Sequence, residues 1–375
     1  MELQVVETTL ALEQAIHRFG DEPAYAFDTE FSSSKTYVPR LCLVQIAWPE
    51  HICLVDPFTV DLAPLSALFS SPAVAIAHSA QNDLEVLDPV VPVRPSSLFD
   101  TQVAAELLGM AERSLGALTS TLLSVDLDKA EQLRDWTARP LSEAALTYAA
   151  LDVAHLFDLR TELLADLATQ GRLEAMEQEC EAVRIAPRPP VVFDECWWHL
   201  RDWNTLPASA RPYAQQLAKA REVVAIQCNL PKRHVLRDAE VLRLATTPPR
   251  SVAKARSMLQ RRDLPQGLPE AIVEAVLLAD GLDPASVPLP LRHRSDRDAR
   301  NLLAALQALT LEVAEAEQIV PVMVASRSDF VARLNGQPSR LDRPWRASVI
   351  TERADALIAA WREGTLPEPR TPREG

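Results

Sequence analysis

The chain has 375 residues, 47% of them hydrophobic, which is too much for one ordinary core and predicts two or three soluble domains. No apolar run approaches the ~18 residues needed to span a bilayer. The start, Met1-Glu-Leu-Gln, lacks the basic and apolar regions of a secretory leader, so a cytoplasmic protein is expected. Cys42, Cys53, Cys180, Cys196 and Cys228 are scattered with no C-x-x-C pair, which argues against a zinc site or a disulfide frame. The net charge of −14 argues against a polyanionic partner, but the charge is segregated. Residues 1–185 hold 11 basic and 29 acidic side chains, whereas residues 201–262 hold 13 basic and 4 acidic ones. Local charge sets the field at a binding face, so the second stretch is a candidate for contact with a polyanion. Its plainer reading is a solvated helical surface.

In chain order, Ala24–Phe31, Leu41–Trp48, Ile52–Asp56 and Ala73–Ala77 read as strands, rich in Val, Ile, Leu and Phe. The short spacing of the first three favours antiparallel neighbours. Leu62–Phe69, Gln81–Leu87, Thr101–Gly109 and Ser142–Thr169 carry apolar residues at helical spacing. Together these predict a mixed α/β sheet flanked by helices over 1–185. A proline-rich linker follows at 186–193, then helices over 194–281. Leu282–Arg294 reads as a second linker, 295–363 as helical again, and 364–375 as a disordered tail.

Asp28 and Glu30 lie two apart on the first of these strands, hence on one face, with Phe27, Thr29 and Phe31 on the other. Carboxylates that close repel each other unless a cation sits between them, and oxygen ligands suit a divalent ion. Taken alone, such a pair is also what an exposed strand edge looks like. Tyr148 and Asp152, four apart, share a helix face. Asp83 opens a helix after His78-Ser-Ala-Gln-Asn, where an acid also complements the helix dipole. Asp28, Glu30, Asp83 and Asp152 with Tyr148 form the set that two-metal cleavage of a phosphodiester needs. His78 reads as a satisfied structural histidine rather than a ligand.

The order and context of these residues resemble the three motifs of the DEDD exonuclease superfamily in its tyrosine-bearing branch, and within it the ribonuclease D family. The resemblance is carried by Phe27-Asp-Thr-Glu-Phe31, the run Tyr37–Ile46, His78 with Asp83–Leu87, and Leu127-Asp-Lys129, Asp135-Trp136, Arg139-Pro-Leu141 and Tyr148-x-x-x-Asp152. It implies a ribonuclease-H-like mixed sheet and 3′→5′ exonuclease activity with two divalent ions, Mg2+ or Mn2+. It further implies that Asp28 bridges both ions, Glu30 and Asp152 complete the first site, and Asp83 supports the second. Tyr148 and Glu30 would position the attacking water. The expected substrate is RNA with a free 3′ end, such as tRNA precursors. Lys129, Trp136 and Arg139 are also family-typical. Lys129 and Arg139 are candidate nucleic-acid contacts, with an ion-pair role for Arg139 equally open.

Residues 194–281 resemble the helical HRDC module, through Leu217–Arg221 and Asn229–Asp238, and 295–363 occupy the place of a second such module. Lys232, Arg233 and Arg237 are the candidate RNA contacts of the first. The second is acidic and is expected to dock on the nuclease instead. Two other functions fit the same motifs: a DNA exonuclease of repair type, and a non-catalytic nucleic-acid-binding protein that kept the fold.

Overall fold

In the computed structural model, residues 1–127, 135–187, 190–289 and 297–366 are described. Six strands form one sheet in the order β1-β4-β3-β2-β5-β6. They are β1 (Glu2–Val6), β2 (Ala24–Ser32), β3 (Arg40–Trp48), β4 (His51–Val55), β5 (Val74–Ala77) and β6 (Ser97–Asp100). β3 and β4 pair antiparallel, with Trp48 opposite His51, while β1–β4, β2–β5 and β5–β6 pair parallel. This is the mixed sheet expected, with the four anticipated strands in place. β1 and β6 escaped the sequence reading. β1 is an edge strand in which only Val6 is buried, and β6 is four residues long, so neither shows an apolar pattern.

The helices of this half are α1 (Thr9–Phe19), α2 (Leu65–Ser70), α3 (Gln81–Leu87), α4 (Thr101–Leu107), α5 (Leu115–Leu123), α6 (Glu143–Ala154), α7 (Leu156–Thr169) and α8 (Leu173–Ile185). The stretch expected to be one helix over Ser142–Thr169 is two, broken at His155 (φ −104°, ψ 2°). The buried positions run across the break without a change of spacing, Ala149 and Val153 before it and Leu156 and Leu159 after, so periodicity gives no sign of it. The core of the sheet is Tyr25, Phe27, Leu43, Ile46, Trp48, Leu54 and their neighbours, all 1% exposed or less.

The chain divides into two compact units that do not follow linear order. One comprises Met1–Phe31, Leu41–Pro187 and Asp296–Gly375, and the other Ser32–Arg40 and Arg188–Ser295. The second unit holds α9 (Arg211–Cys228), α10 (Lys232–Val235), α11 (Asp238–Thr246), α12 (Val252–Leu259) and α13 (Leu268–Ala279). Its core gathers Trp197, Leu217, Ala218, Val241, Leu244, Leu268 and Ile272. The 32–40 loop is held there by one buried carboxylate. Glu222, 0% exposed, accepts from the Tyr37 hydroxyl at 2.5 Å and pairs with Lys232 Nζ at 2.9 Å. Asn229, in the left-handed conformation that ends α9, accepts from the backbone of Tyr37 and Val38.

The last helices, α14 (Arg297–Glu317), α15 (Pro321–Val324), α16 (Arg327–Leu334), α17 (Pro344–Arg346) and α18 (Glu352–Arg362), belong to the first unit. Leu302, Leu306, Phe330, Ile350 and Ile358 share one apolar cluster with the sheet. Glu179 on α8 is buried against Arg343, Arg346 and the Trp345 indole, which donates at 2.8 Å. Arg346 is fully buried and also donates to the carbonyls of Val324 (3.0 Å) and Met323 (2.6 Å). Gly109, at φ +74°, fits only because it has no side chain; a Cβ there would run into the Gln318 carbonyl. No described helix is long and apolar enough to cross a membrane. Of the expected second linker, residues 282–289 are described and hold a short 3-10 turn at Pro284–Ser286, while 290–294 and most of the tail lie outside the described residues.

Removing one partner of a buried ion pair strands the other charge, at a cost of roughly 3–5 kcal/mol. Glu179 is the carboxylate that fully buried Arg346 meets, so Glu179→Leu should lower unfolding free energy by about that amount, measured by denaturant titration. Glu179→Leu combined with Arg346→Met should recover most of the loss. A single variant as stable as the parent would mean that Glu179 is not the anchor of the C-terminal helices.

Candidate active site

β2, α3 and α6 carry the site. Asp28 and Glu30 leave β2 on one face, and α6 presents Asp152 to them. One oxygen from each of the three lies within 4.8 Å of the other two. Oxygen ligands at 2.0–2.6 Å from a hard cation fall within about that separation, so this donor set fits a divalent ion. α6 starts at Ser142, whose hydroxyl accepts from the Ala145 amide at 3.2 Å, and a helical turn then sets Tyr148 beside Asp152. Trp136, 4% exposed, packs on the Tyr148 ring with centroids 6.1 Å apart.

Asp83 is placed differently from the other three. It is 6% exposed and accepts a short hydrogen bond from the Thr29 hydroxyl, so Thr29 ties α3 to β2 between the two catalytic-face acids. The turn before α3 is fixed by Asp100 at the end of β6. Its carboxylate accepts from the amides of Ser79 (2.9 Å) and Ala80 (2.8 Å), and it also caps α4 by accepting from the Gln102 amide. Neither Thr29 nor Asp100 was singled out from sequence. Asp100 stands directly before a helix, which is a legible cap signal, but its reach back to the α3 turn depends on the β5–β6 pairing.

A cavity of about 370 Å³ opens over this cluster, lined by Asp28, Glu30, Asp152, Tyr148, His78 and the Ser114–Gly116 turn, among others. Enclosure first, then mutual repulsion, makes the acids hard to ionise. Burial, with the charges of Asp83, Asp152 and Glu30, holds Asp28 well above the usual carboxylate range. Glu30 is pushed up to about 8 by burial and by Asp152 and Asp83. Asp152 rises to about 7 from burial and Asp83. Asp83 also rises to about 7 from burial, although the Thr29 hydrogen bond pulls it down. Burial followed by the neighbouring acids likewise raises the Tyr148 phenol, so it keeps its proton.

Arg139 does not face the cavity as a free cation. Its guanidinium grips Asp56 with Nε (2.5 Å) and Nη2 (2.9 Å). The other donors go to the carbonyls of Cys42, Trp136 and Ala138. All five N–H groups are engaged, which leaves none for a phosphate and corrects the expectation of a nucleic-acid contact. Lys129 lies outside the described residues.

Residues 3–168 match a family described as 3′-5′ exonuclease. A ribonuclease D from Gluconacetobacter diazotrophicus is 34% identical over 366 residues, covering 94% of this chain and 92% of that one. The chain belongs to the ribonuclease D family. The Escherichia coli ribonuclease D is 29% identical over 372 residues, covering 98% and 97% of the two chains. The solved Escherichia coli structure, described as an exoribonuclease involved in structured RNA processing, superposes with a TM-score of 0.81 at 27% identity, covering 96% of this chain and 99% of that one. A structure from Bifidobacterium adolescentis at 23% identity shares the fold, with a TM-score of 0.74.

Acids with raised folded-state values bind more protons folded than unfolded between about pH 4 and pH 8, so their contribution to stability falls as pH rises through that window. A cation held by the same carboxylates offsets that loss. The rise in Tm on replacing chelator with Mg2+ or Mn2+ should therefore be small at pH 5 and grow towards pH 8.5. Asp28→Asn should shrink it. A metal-induced rise that is the same at both pH values, or absent, would count against ion binding by this cluster.

Proposed function

We propose that the chain is a divalent-metal-dependent 3′→5′ exoribonuclease that removes 3′-terminal nucleotides from structured RNA, such as tRNA precursors. The observation that carries this reading is the convergence of Asp28, Glu30 and Asp152 on one cavity with the Tyr148 phenol, in a chain of the ribonuclease D family. Asp28, Glu30 and Asp152 are the residues that would hold one ion, with Asp28 shared and Asp83 supporting a second. Bound there, two ions would supply positive charge to the attacking and leaving oxygens of an in-line displacement. The chain's own groups do the rest. The Tyr148 hydroxyl keeps its proton, stands over the acid cluster and orients the attacking water by a hydrogen bond. Glu30, on the same face of β2 as Asp28, accepts from the same water and fixes its lone pair on the phosphorus. Trp136 packs on the Tyr148 ring and limits its movement.

Residues 194–281 act in this reading as an HRDC-like capture module, and 295–363 as a second HRDC-like module that serves the nuclease scaffold. The basic stretch offers less free charge than its composition suggests. Lys219, Arg221, Lys232, Arg250, Arg256 and Arg261 each pair with a carboxylate. Lys232 in particular neutralises buried Glu222, which makes it a structural cation first. Arg233 and Arg237 carry no ion pair among the described residues and are the better RNA contacts. The five free thiols fit a reducing cytoplasm.

Matched 3′-labelled RNA and DNA strands incubated with Mg2+ or Mn2+ test the assignment. RNA should shorten from its 3′ end only with metal, and Asp28→Asn should remove nearly all turnover. Faster loss from DNA than from RNA would favour a repair-type enzyme, and binding without cleavage would favour a non-catalytic protein. Tyr148→Phe should lower kcat by roughly 10²-fold with RNA affinity nearly unchanged, because an interaction confined to the transition state appears in kcat. For capture, Arg233→Glu with Arg237→Glu should flatten log affinity against log salt by about 0.7 per lost phosphate contact. An unchanged salt slope would leave the module a solvated scaffold.

A further inference from the structure

His78 lies in the turn between β5 and α3 and lines the same cavity as Asp28, Glu30 and Asp152. Its Nδ1 is 2.9 Å from the Thr101 hydroxyl oxygen. Thr101 is fully buried, and its hydroxyl donates to the Ala77 carbonyl at 3.2 Å. A hydroxyl has one proton. With that proton aimed at Ala77, the Thr101 oxygen can only accept from the ring, so Nδ1 carries the imidazole hydrogen. Burial holds the imidazole below its ordinary value in spite of the nearby Asp100, and the ring is neutral at pH 7. Nε2 is then a bare acceptor. It has no protein partner among the described residues, and it is not among the polar atoms sealed from solvent.

An acceptor in this cavity is selective about what it meets. Phosphate oxygens are acceptors too, so a lone pair aimed at them repels. The groups at the end of a polynucleotide that can donate whatever the base are the ribose hydroxyls. We propose that His78 Nε2 accepts a hydrogen bond from a hydroxyl of the 3′-terminal ribose and so selects the nucleotide to be removed. The inference rests on the exonuclease reading and adds a residue to it that is no metal ligand. A site that accepts from a hydroxyl rejects the analogue lacking it, because the acceptor is left facing nothing.

The test uses the full chain with Mg2+ or Mn2+ and three RNA strands that differ only at the last residue: ribose, 2′-deoxyribose or 3′-deoxyribose. The wild type should process one deoxy end with kcat/KM lower on the order of ten-fold, and which end is slow identifies the hydroxyl. His78→Asn keeps an amide at the level of Nδ1 beside Thr101 but withdraws the acceptor from the cavity. It should cut the ribose end as slowly as the wild type cuts the sensitive end, with no further loss on the latter. His78→Gln places a carbonyl near the position of Nε2 and should restore the preference. His78→Ala serves if His78→Asn does not fold, as judged by Tm. A wild type that shortens no strand in either metal overturns the exonuclease reading and this assignment with it. Equal wild-type rates on the three strands overturn the assignment alone. So does a deoxy penalty that survives in His78→Asn, or a variant that slows all three strands by one factor.

Discussion

Four carboxylates are brought together in a space where they cannot all stay ionised unaided, and much of the first unit serves that arrangement. β2 holds two of them with its alternate residues packed into the core. Thr29, between them, bonds to the third through α3. Asp100 fixes the turn from which α3 starts, and Ser142 fixes the start of the helix that delivers the fourth. Each of these supports is a neutral donor or a capped backbone, not a nearby Lys or Arg. That choice keeps the cluster's negative potential available for cations from solution. A fixed arginine beside Asp28 would settle the repulsion permanently and close the site to exchange.

The distribution of side-chain cations in the rest of the molecule fits that division. Two arginines of the first unit are turned to structural work: Arg139, close to the third motif, staples Asp56 and three carbonyls, and Arg346, far from the motifs in sequence, fills the space against Glu179. In the second unit, part of the apparent positive excess is matched pairwise by acids from outside the basic stretch. Net charge over a window of sequence therefore overstates the field. Pairing takes place in space, and carboxylates such as Asp194, Glu270 and Asp280 lie outside the 201–262 window that makes it look strongly basic.

What was legible in the sequence is what short-range geometry dictates. Strand alternation places Asp28 and Glu30 together, and helix spacing places Tyr148 with Asp152; both hold in three dimensions. The four strands with continuous apolar character were visible, while the edge strand β1 and the four-residue β6 were not, because neither presents a two-faced pattern. The supports for the site were harder to see. Thr29 reads as a residue on the wrong face until α3 is brought over it. Asp100 reads as an ordinary cap until β6 lies beside β5. Glu179 and Glu222 were likewise silent, since a buried glutamate in an amphipathic helix looks like a surface one until its partners, more than a hundred residues distant for Arg346 and Tyr37, are known.

The 32–40 loop, which leaves the catalytic strand and returns as β3, belongs to the helical unit and not to the sheet that flanks it. The polypeptide therefore passes between the two bodies four times, and the helical one is not a cassette strung on the end of a nuclease. A gene rearrangement that appended or discarded residues 188–295 as a block would leave Tyr37 and Val38 without Glu222 and Asn229. Evolution can tune such a pair of bodies by substitution at their faces, but it cannot easily trade one of them for another. Descent with both parts kept together is the history this threading favours, in keeping with relatives that match over nearly their whole length.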